Sequence, residues 1–251
     1  MIIQIIGQAG SGKTTLAIDL VDRINGIHIN ADKVRVDLNK DLGFSLESRI
    51  ENARRLGALS RLLDEQGQIV VVDFICPTQE TRDAFGKPDY MIWVNRIKEG
   101  RFEDTNKMWE NPTNADLVIL DGITVEQEVD DVIKAFGLHD WRKPTTLMLG
   151  RYQPWHEGHH ALYAEAGKRT EQVMLGVRDT QGTSEKDPLS FNQVKGYIAQ
   201  DSVMTNAMVI KVPNITNIVY GRDVGYKVEQ VKLGDEIEAI SATQKRKEMG
   251  I

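Results

Sequence analysis

The stretch Gly7-Gln8-Ala9-Gly10-Ser11-Gly12-Lys13-Thr14 constrains this chain more than any other. It fits the pattern G-x-x-x-x-G-K-[ST]. Ahead of it, Ile2-Ile3-Gln4-Ile5-Ile6 is short, apolar and β-branched and predicts a buried strand; behind it, Thr15 to Val21 carries apolar residues at helical spacing. A strand that ends in glycines and turns into a helix aims backbone N–H groups at an anion, at the positive end of the helix dipole. In that setting Lys13 reaches the β- and γ-phosphates and Thr14 holds Mg²⁺, with Gly7, Gly10, Ser11, Gly12 and Thr15 completing an ATP-binding loop. The competing reading is a glycine-rich turn followed by an unconnected Lys-Thr pair.

Composition bounds the rest. With 251 residues, 41% of them hydrophobic and 27% charged, the chain has the make-up of an ordinary globular protein, with room for one large domain or two modest ones. The formal net charge of −6 lies entirely in the first 143 residues, and the remainder is balanced. Neither half has the basic excess of a nucleic-acid binder. Cys76, the single cysteine, excludes an intrachain disulfide and suits a reducing compartment. No apolar run approaches the ~20 residues of a membrane span, and the apolar start lacks a basic n-region. A cytoplasmic protein with no membrane and no nucleic-acid partner is expected.

Strand and helix patterns alternate after the loop, predicting an α/β fold with a parallel sheet. Gly26-Ile27-His28-Ile29 reads as a second strand, with Asp32 and Arg35 just past its C-terminal end, where ligands collect in such sheets. A carboxylate at Asp32 can orient Mg²⁺ or accept an acceptor hydroxyl's proton; it can also be a helix N-cap. A long helix is predicted from Leu46 to Glu65, carrying Arg49, Asn52 and Arg55 every third residue, in a row with Asn52 between two guanidinium groups. Arginine suits bidentate capture of phosphate or sulfate, and Phe44 offers a ring for base stacking; a solvated charged face is the alternative. Gln68 to Ile75 reads as a strand buried on both faces, Met91 to Val94 and Leu117 to Leu120 as further strands, and Glu126 to Phe136 as a closing helix. The polar stretch Arg96 to Trp109, with Lys98, Arg101 and Lys107, reads as a lid that closes over a transferring phosphoryl group.

These motifs together resemble adenylylsulfate kinase. The resemblance covers residues 1 to about 138 and rests on the P-loop, the Asp-x-x-Arg of Asp32 and Arg35, and the Asp-Leu-Gly-Phe ending at Phe44. It continues through Arg49-Ile50-Glu51-Asn52-Ala53-Arg54-Arg55 and the strand ending Phe74-Ile75-Cys76-Pro77. It implies a P-loop kinase domain over 1–140, with Lys13 and Asp32 catalytic. Arg35, Phe44, Arg49 and Asn52 would bind adenylylsulfate, with Asp32 beside its ribose 3′-hydroxyl. Two positions depart from the family pattern: Cys76 stands where serine is usual, and Glu103-Asp104-Thr105-Asn106-Lys107 replaces a lysine-rich lid with a Phe-Thr-Gly segment.

Gly137 to Pro144 breaks the helical period and marks a linker. The pattern then restarts with a strand at Thr146 to Leu149 and a second motif, Gly150-Arg151-Tyr152-Gln153-Pro154-Trp155-His156-Glu157-Gly158-His159-His160. His156 and His159 lie three apart at a helix start, so both imidazoles can face one point, and Gly158 admits a phosphate to the backbone. A metal site and a pair of structural histidines are the alternatives. Near the end, Ile240-Ser241-Ala242-Thr243-Gln244-Lys245-Arg246 opens a helix on which the Ser241 and Thr243 hydroxyls can hold ATP phosphates, with Arg246 one turn on. The two motifs resemble those of the His-x-Gly-His nucleotidylyltransferase superfamily, closest to its nicotinamide-nucleotide adenylyltransferase branch, in which Gly-Arg-[aromatic]-Gln-Pro is typical. Asp187-Pro188-Leu189-Ser190-Phe191 resembles the Asn-Pro-Phe segment of that branch.

That resemblance implies a Rossmann-like nucleotidylyltransferase domain over 145–251. His156, His159 and Arg246 would be catalytic, and Gly150, Arg151, Gly158, Ser241 and Thr243 would bind ATP, with Mg²⁺ shared. The expectation is a bifunctional enzyme with ATP and small nucleotide or phosphate acceptors as partners, assembled as a homo-oligomer, a dimer first. The alternatives are a cytidylyltransferase second half, ribosylnicotinamide kinase paired with nicotinamide mononucleotide adenylyltransferase, a sulfate-activation pair with sulfurylase-like activity, and a non-catalytic nucleotide sensor.

Overall fold

The structure, a computed structural model, describes residues 1–250 apart from 202, 203, 205, 206, 220, 223, 224 and 226. The chain divides into two compact units, Met1–Arg142 and Lys143–Ile251. Among the described residues no helix is long and apolar enough to cross a membrane.

The first unit is an α/β unit around a five-stranded parallel sheet. In chain order it contains β1 (Ile2–Gly7), α1 (Lys13–Ile24), β2 (Ile27–Asn30), α2 (Ala31–Asp37), α3 (Leu46–Glu65) and β3 (Val70–Phe74). It continues with α4 (Gln79–Phe85), β4 (Tyr90–Val94), α5 (Glu103–Met108), β5 (Leu117–Ile119) and α6 (Val125–Phe136). The strand order is β2-β3-β1-β4-β5, every pair parallel. β1 is central and buried throughout, which is why its sequence is a run of isoleucines rather than an alternation. Ile3 and Ile5 face α1 and α6 in one core, whereas Ile2 and Ile6 face α3 in the other. Each such side chain contributes roughly 1.5–3 kcal/mol on burial. Gly57 brings α3 against the end of α4, because a side chain there would collide with the Phe85 carbonyl.

Two buried ion pairs tie this unit together. Arg23, on α1, donates through Nε to Asp140 Oδ1 at 2.9 Å, through Nη2 to Asp140 Oδ2, and through Nη2 to Asp130 Oδ1 at 2.7 Å. Arg96, just past β4, pairs with Glu128, whose side chain is fully buried, and donates to the Ser11 carbonyl at 3.2 Å. Arg96, the first residue of the stretch expected to form a lid, is therefore tied to the P-loop and to α6.

The second unit has a three-stranded parallel sheet in the order β6-β7-β8, formed by β6 (Thr145–Gly150), β7 (Gln172–Arg178) and β8 (Met208–Val212). Its helices are α7 (Glu157–Gly167), α8 (Phe191–Gln200), α9 (Asp235–Glu238) and α10 (Ala242–Met249). Met148, Val173, Leu175 and Val177 share a core with Ala166 of α7 and with Val194 and Ile198 of α8. Leu147 and Leu149, pointing to the other side of β6, are exposed.

Candidate functional site

The P-loop follows from the conformational demands of its glycines. Gly7 ends β1 at φ +153° where a side chain would strike the Val94 carbonyl, and Gly12 caps α1 at φ +91°. Lys13 is buried and donates through Nζ to the Gln8 carbonyl at 2.8 Å, folded back along the loop. Burial pushes its ammonium down to about 8, against the raising effect of Asp73 and Asp32. The Ser11 hydroxyl is buried without a hydrogen-bond partner, and Thr15 is exposed in the first turn of α1.

A cavity of about 660 Å³ opens beside this loop. At one end it is lined by Gly10, Lys13, Thr14 and Asp73, at the other by Arg35, Phe44, Arg49 and Asn52, with Asp32 also on its wall. Gly7, Ser11, Gly12 and Thr15 shape the loop and do not line the cavity. Asp32 lies in the first turn of α2 and is not its N-cap, since Asn30 Oδ1 takes that role by accepting from Lys33 N at 3.0 Å.

Asp73, at the end of β3, is a site residue that its sequence position inside an apolar run concealed. It is buried, and its carboxylate accepts from Thr14 Oγ1 at 2.6 Å, from Asn30 Nδ2 at 3.1 Å and pairs with His28 Nε2 at 2.6 Å. Burial opposes ionisation, but the His28, Thr14 and Asn30 hydrogen bonds outweigh it and hold the carboxyl below its ordinary range. Among the described residues no cluster of three or more His, Cys, Asp or Glu side chains could hold a metal ion. Mg²⁺ bound with a nucleotide needs only one or two carboxylates besides phosphate oxygens and water. Thr14 and Asp73 form an all-oxygen donor pair at the start of α1 that fits such an ion.

At the far end, Phe44 is 66% exposed and carries two guanidinium groups, Arg35 Cζ at 5.0 Å and Arg49 Cζ at 5.8 Å from the ring centroid. Arg35 is braced by the Gly43 carbonyl at 2.6 Å, and Asn52 accepts from Asn39 Nδ2 at 2.9 Å. Burial lowers the Arg35 pKa, and the Arg49 charge lowers it further, as two cations facing one space must. Arg55, expected in the same row, turns away and pairs with Asp41 at 2.7 Å and Glu51 at 2.8 Å. Three-residue spacing drifts by about 60° per step around an α-helix, so the third member leaves the face.

The stretch expected to form a lid contributes three further residues to the cavity: Arg101, Phe102 and Asp104. Gly100 packs so closely on the P-loop that a side-chain carbon there would lie 2.8 Å from Ala9 N. Arg101 follows it over Gly10, while Lys107 pairs with Glu103 at 2.6 Å instead. Phe102 is 54% exposed and lines the same cavity as Phe44. Within a polar stretch, Phe102 gave no local signal of this placement.

In the second unit the two motifs come together. His156 caps α7, its Nδ1 accepting from Gly158 N at 3.2 Å, and its ring stacks on His159 with centroids 3.8 Å apart. His159 packs edge-on against Tyr152 at 5.0 Å, and its Nδ1 is buried without a partner. Burial, aided by the neighbouring imidazole, pushes His159 down to about 3, and burial also lowers His156. Both rings are therefore shifted toward the neutral form.

Arg246 donates to the Gln153 carbonyl at 2.8 Å and to Thr243 Oγ1 at 3.2 Å, and Lys245 pairs with Glu157 at 3.2 Å. These contacts set α10 against the start of α7. Ser241 caps α10 by accepting from Gln244 N at 3.1 Å, which leaves its hydroxyl proton free to donate. Gly150 ends β6 under the Tyr152 ring, and Arg151 pairs with Asp187 at 3.3 Å. The Gln153 amide is spent on the Leu189 backbone, donating to its carbonyl at 2.8 Å and accepting from its N–H at 2.9 Å.

The adenylylsulphate kinase family model matches residues 1–88. Adenylyl-sulfate kinase of Oceanobacillus iheyensis is 45% identical over 82 residues, 31% of this chain and 41% of that protein. Bifunctional enzyme NodQ of Azospirillum brasilense is 42% identical over 83 residues, 31% of this chain and 13% of that protein. Among solved structures, the Mycobacterium tuberculosis APS kinase in complex with AMPPNP and APS is 22% identical at a TM-score of 0.48, covering 53% of this chain and 95% of that one. The chain spans about two fifths of the length of the curated adenylyl-sulfate kinases it matches. Its N-terminal region is an adenylylsulfate-kinase-like P-loop domain.

Proposed function

We propose that the first unit transfers the γ-phosphoryl group of ATP to the 3′-hydroxyl of adenylylsulfate, and that the second transfers AMP from ATP to nicotinamide mononucleotide with release of pyrophosphate. The observation that carries the first assignment is the single cavity joining Lys13, Thr14 and Asp73 to Arg35, Phe44, Arg49 and Asn52. A nucleotide whose anionic group meets the two arginines, and whose base lies between Phe44 and Phe102, brings its ribose toward Asp32.

The P-loop N–H groups and Lys13 hold the β- and γ-phosphates, and Arg101 faces them from the lid. The acceptor oxygen attacks the γ-phosphorus, the bond to the β–γ bridging oxygen breaks, ADP leaves, and Asp32 takes the hydroxyl proton. Mg²⁺ held by Thr14 and Asp73 would neutralise charge on the β- and γ-oxygens.

In the second unit the substrate phosphate attacks the ATP α-phosphorus and pyrophosphate leaves, with no covalent enzyme intermediate. His156 and His159 supply neutral donors, and Arg246 supplies the charge. Since the Gln153 amide is engaged by the Leu189 backbone, its presence in the motif does not by itself select adenylyl transfer, and cytidylyl transfer stands as the second reading for this unit.

Incubation of the full chain with ATP or CTP and a panel of adenylylsulfate, nicotinamide mononucleotide and nicotinamide riboside, with separation of the products, tests both assignments. Formation of 3′-phosphoadenylylsulfate and of a dinucleotide is expected. Absence of the first product, or preference for CTP, overturns the corresponding half.

A further inference from the structure

Arg49 is held from two directions. Its Nε donates to the Phe44 carbonyl at 2.9 Å, and its Nη2 donates to Asp104 Oδ2 at 3.0 Å and Thr105 Oγ1 at 3.1 Å. Arg49 belongs to α3 and the other two to α5, so one guanidinium ties the lid helix to the acceptor wall. The Arg49 side chain is 10% exposed and that of Asp104 58%. The arginine is thus largely covered, while the carboxylate is open to solvent.

The remaining carboxylates of the cavity are placed elsewhere. Asp73 is bound to Thr14, Asn30 and His28, and Asp32 sits close enough to Lys13 to raise its basicity. Among the described lining residues, Asp104 is the carboxylate bonded to Arg49. It therefore occupies the guanidinium that an anion at this end of the cavity would engage.

We propose that Asp104 is a specificity-determining residue of the acceptor site. It occupies Arg49 until the sulfate- or phosphate-bearing group of an acceptor displaces it, and that displacement frees α5 from α3. The inference rests on the reading of Arg35, Phe44, Arg49 and Asn52 as the acceptor wall. An anionic acceptor gains Arg49 only by breaking an existing ion pair, and it then lies beside the carboxylate it displaced. Affinity for anionic acceptors is thereby held below what the cations of the cavity alone would give.

The test compares the full chain with its Asp104→Asn variant, an almost isosteric change at an exposed position. Calorimetric titrations at constant ionic strength, with saturating ADP filling the P-loop, measure the affinities of adenylylsulfate and inorganic sulfate; ATP affinity is measured separately. Both anions are expected to bind the variant about three- to tenfold more tightly, with ATP affinity unchanged and faster amide exchange in α5 of the free variant. A gain in affinity is not what a damaged fold produces. Equal or weaker binding of both anions overturns the proposal. Tighter sulfate binding with no adenylylsulfate binding to either protein supports the competition for Arg49 and retires adenylylsulfate as acceptor.

Discussion

Thr14 and Asp73 stand 59 positions apart, and Thr14 Oγ1 donates to Asp73 Oδ2 at 2.6 Å. The contact exists because β1 and β3 are neighbours in the sheet, which places the start of α1 beside the end of β3. It makes Asp73 the carboxylate that fixes the hydroxyl proposed to hold Mg²⁺. Asp73→Asn is expected to lower kcat for phosphoryl transfer about 10- to 100-fold and to raise the Mg²⁺ concentration needed for half-maximal rate. Initial rates across a Mg²⁺ titration check this, and an unaltered Mg²⁺ dependence would refute the role.

Lys13 links protonation to nucleotide binding. Its pKa near 8 in the free protein lies below the ordinary 10.5. As pH rises through about 8 the ammonium is lost, so the affinity for ATP should fall across that step. From about 8 to 10.5 the unfolded chain holds a proton that the folded one has released, so this group makes stability rise with pH there. Lys13→Ala should abolish phosphoryl transfer, leave pyrophosphate release in the second unit intact and flatten the pH step in ATP binding. Loss of both activities in a folded variant would contradict two independent sites.

The acceptor wall should show itself in KM. Arg49→Ala or Asn52→Ala removes a hydrogen bond to a charged group worth ~1.5–3 kcal/mol, roughly a 10- to 100-fold rise in the KM for adenylylsulfate. Phe44→Ala and Phe102→Ala each remove one face of the base site and should raise the same constant. ATP affinity should hardly move in any of the four. Steady-state kinetics with each substrate varied in turn separates the two effects.

His159 should act in the transition state and in acid stability. His159→Ala is expected to lower kcat for pyrophosphate release about 10²–10³-fold with a smaller effect on KM. With its pKa near 3 against the ordinary 6.5, the unfolded chain binds a proton that the folded unit refuses. Stability of the second unit should therefore fall as pH drops from about 6.5 toward 3. Thermal unfolding followed across that range should show a shallower loss in His159→Gln.

Much of the first unit was legible because its signals are local. The isoleucine run, the glycines and the helix from Leu46 to Glu65 state their own conformations, and the parallel α/β sheet follows from their alternation. Asp73, Phe102 and Asp104 were not legible as site residues, because their roles depend on which strand ends and loops become neighbours, whereas Arg101 stood out among the cations of its polar stretch. A lone acid within the apolar run from Gln68 to Ile75 was the available signal for Asp73. Gln153 shows the reverse case: it stands out in a motif, yet its amide closes a loop on Leu189. The hydroxyl of Ser241 is likewise engaged as a helix cap, a local geometry that the sequence pattern also fits.

The Arg23–Asp140 pair decides where the chain can be divided. The last helix of the first unit ends at Phe136, and a cut there looks natural from secondary structure alone. Such a cut removes Asp140 and strands a guanidinium that is 8% exposed, leaving it only the half-open Asp130. Losing one partner of a buried ion pair costs about 3–5 kcal/mol, a large share of a small domain's total stability. The four residues after the helix that look like linker are a structural clasp, and an autonomous N-terminal fragment must carry them.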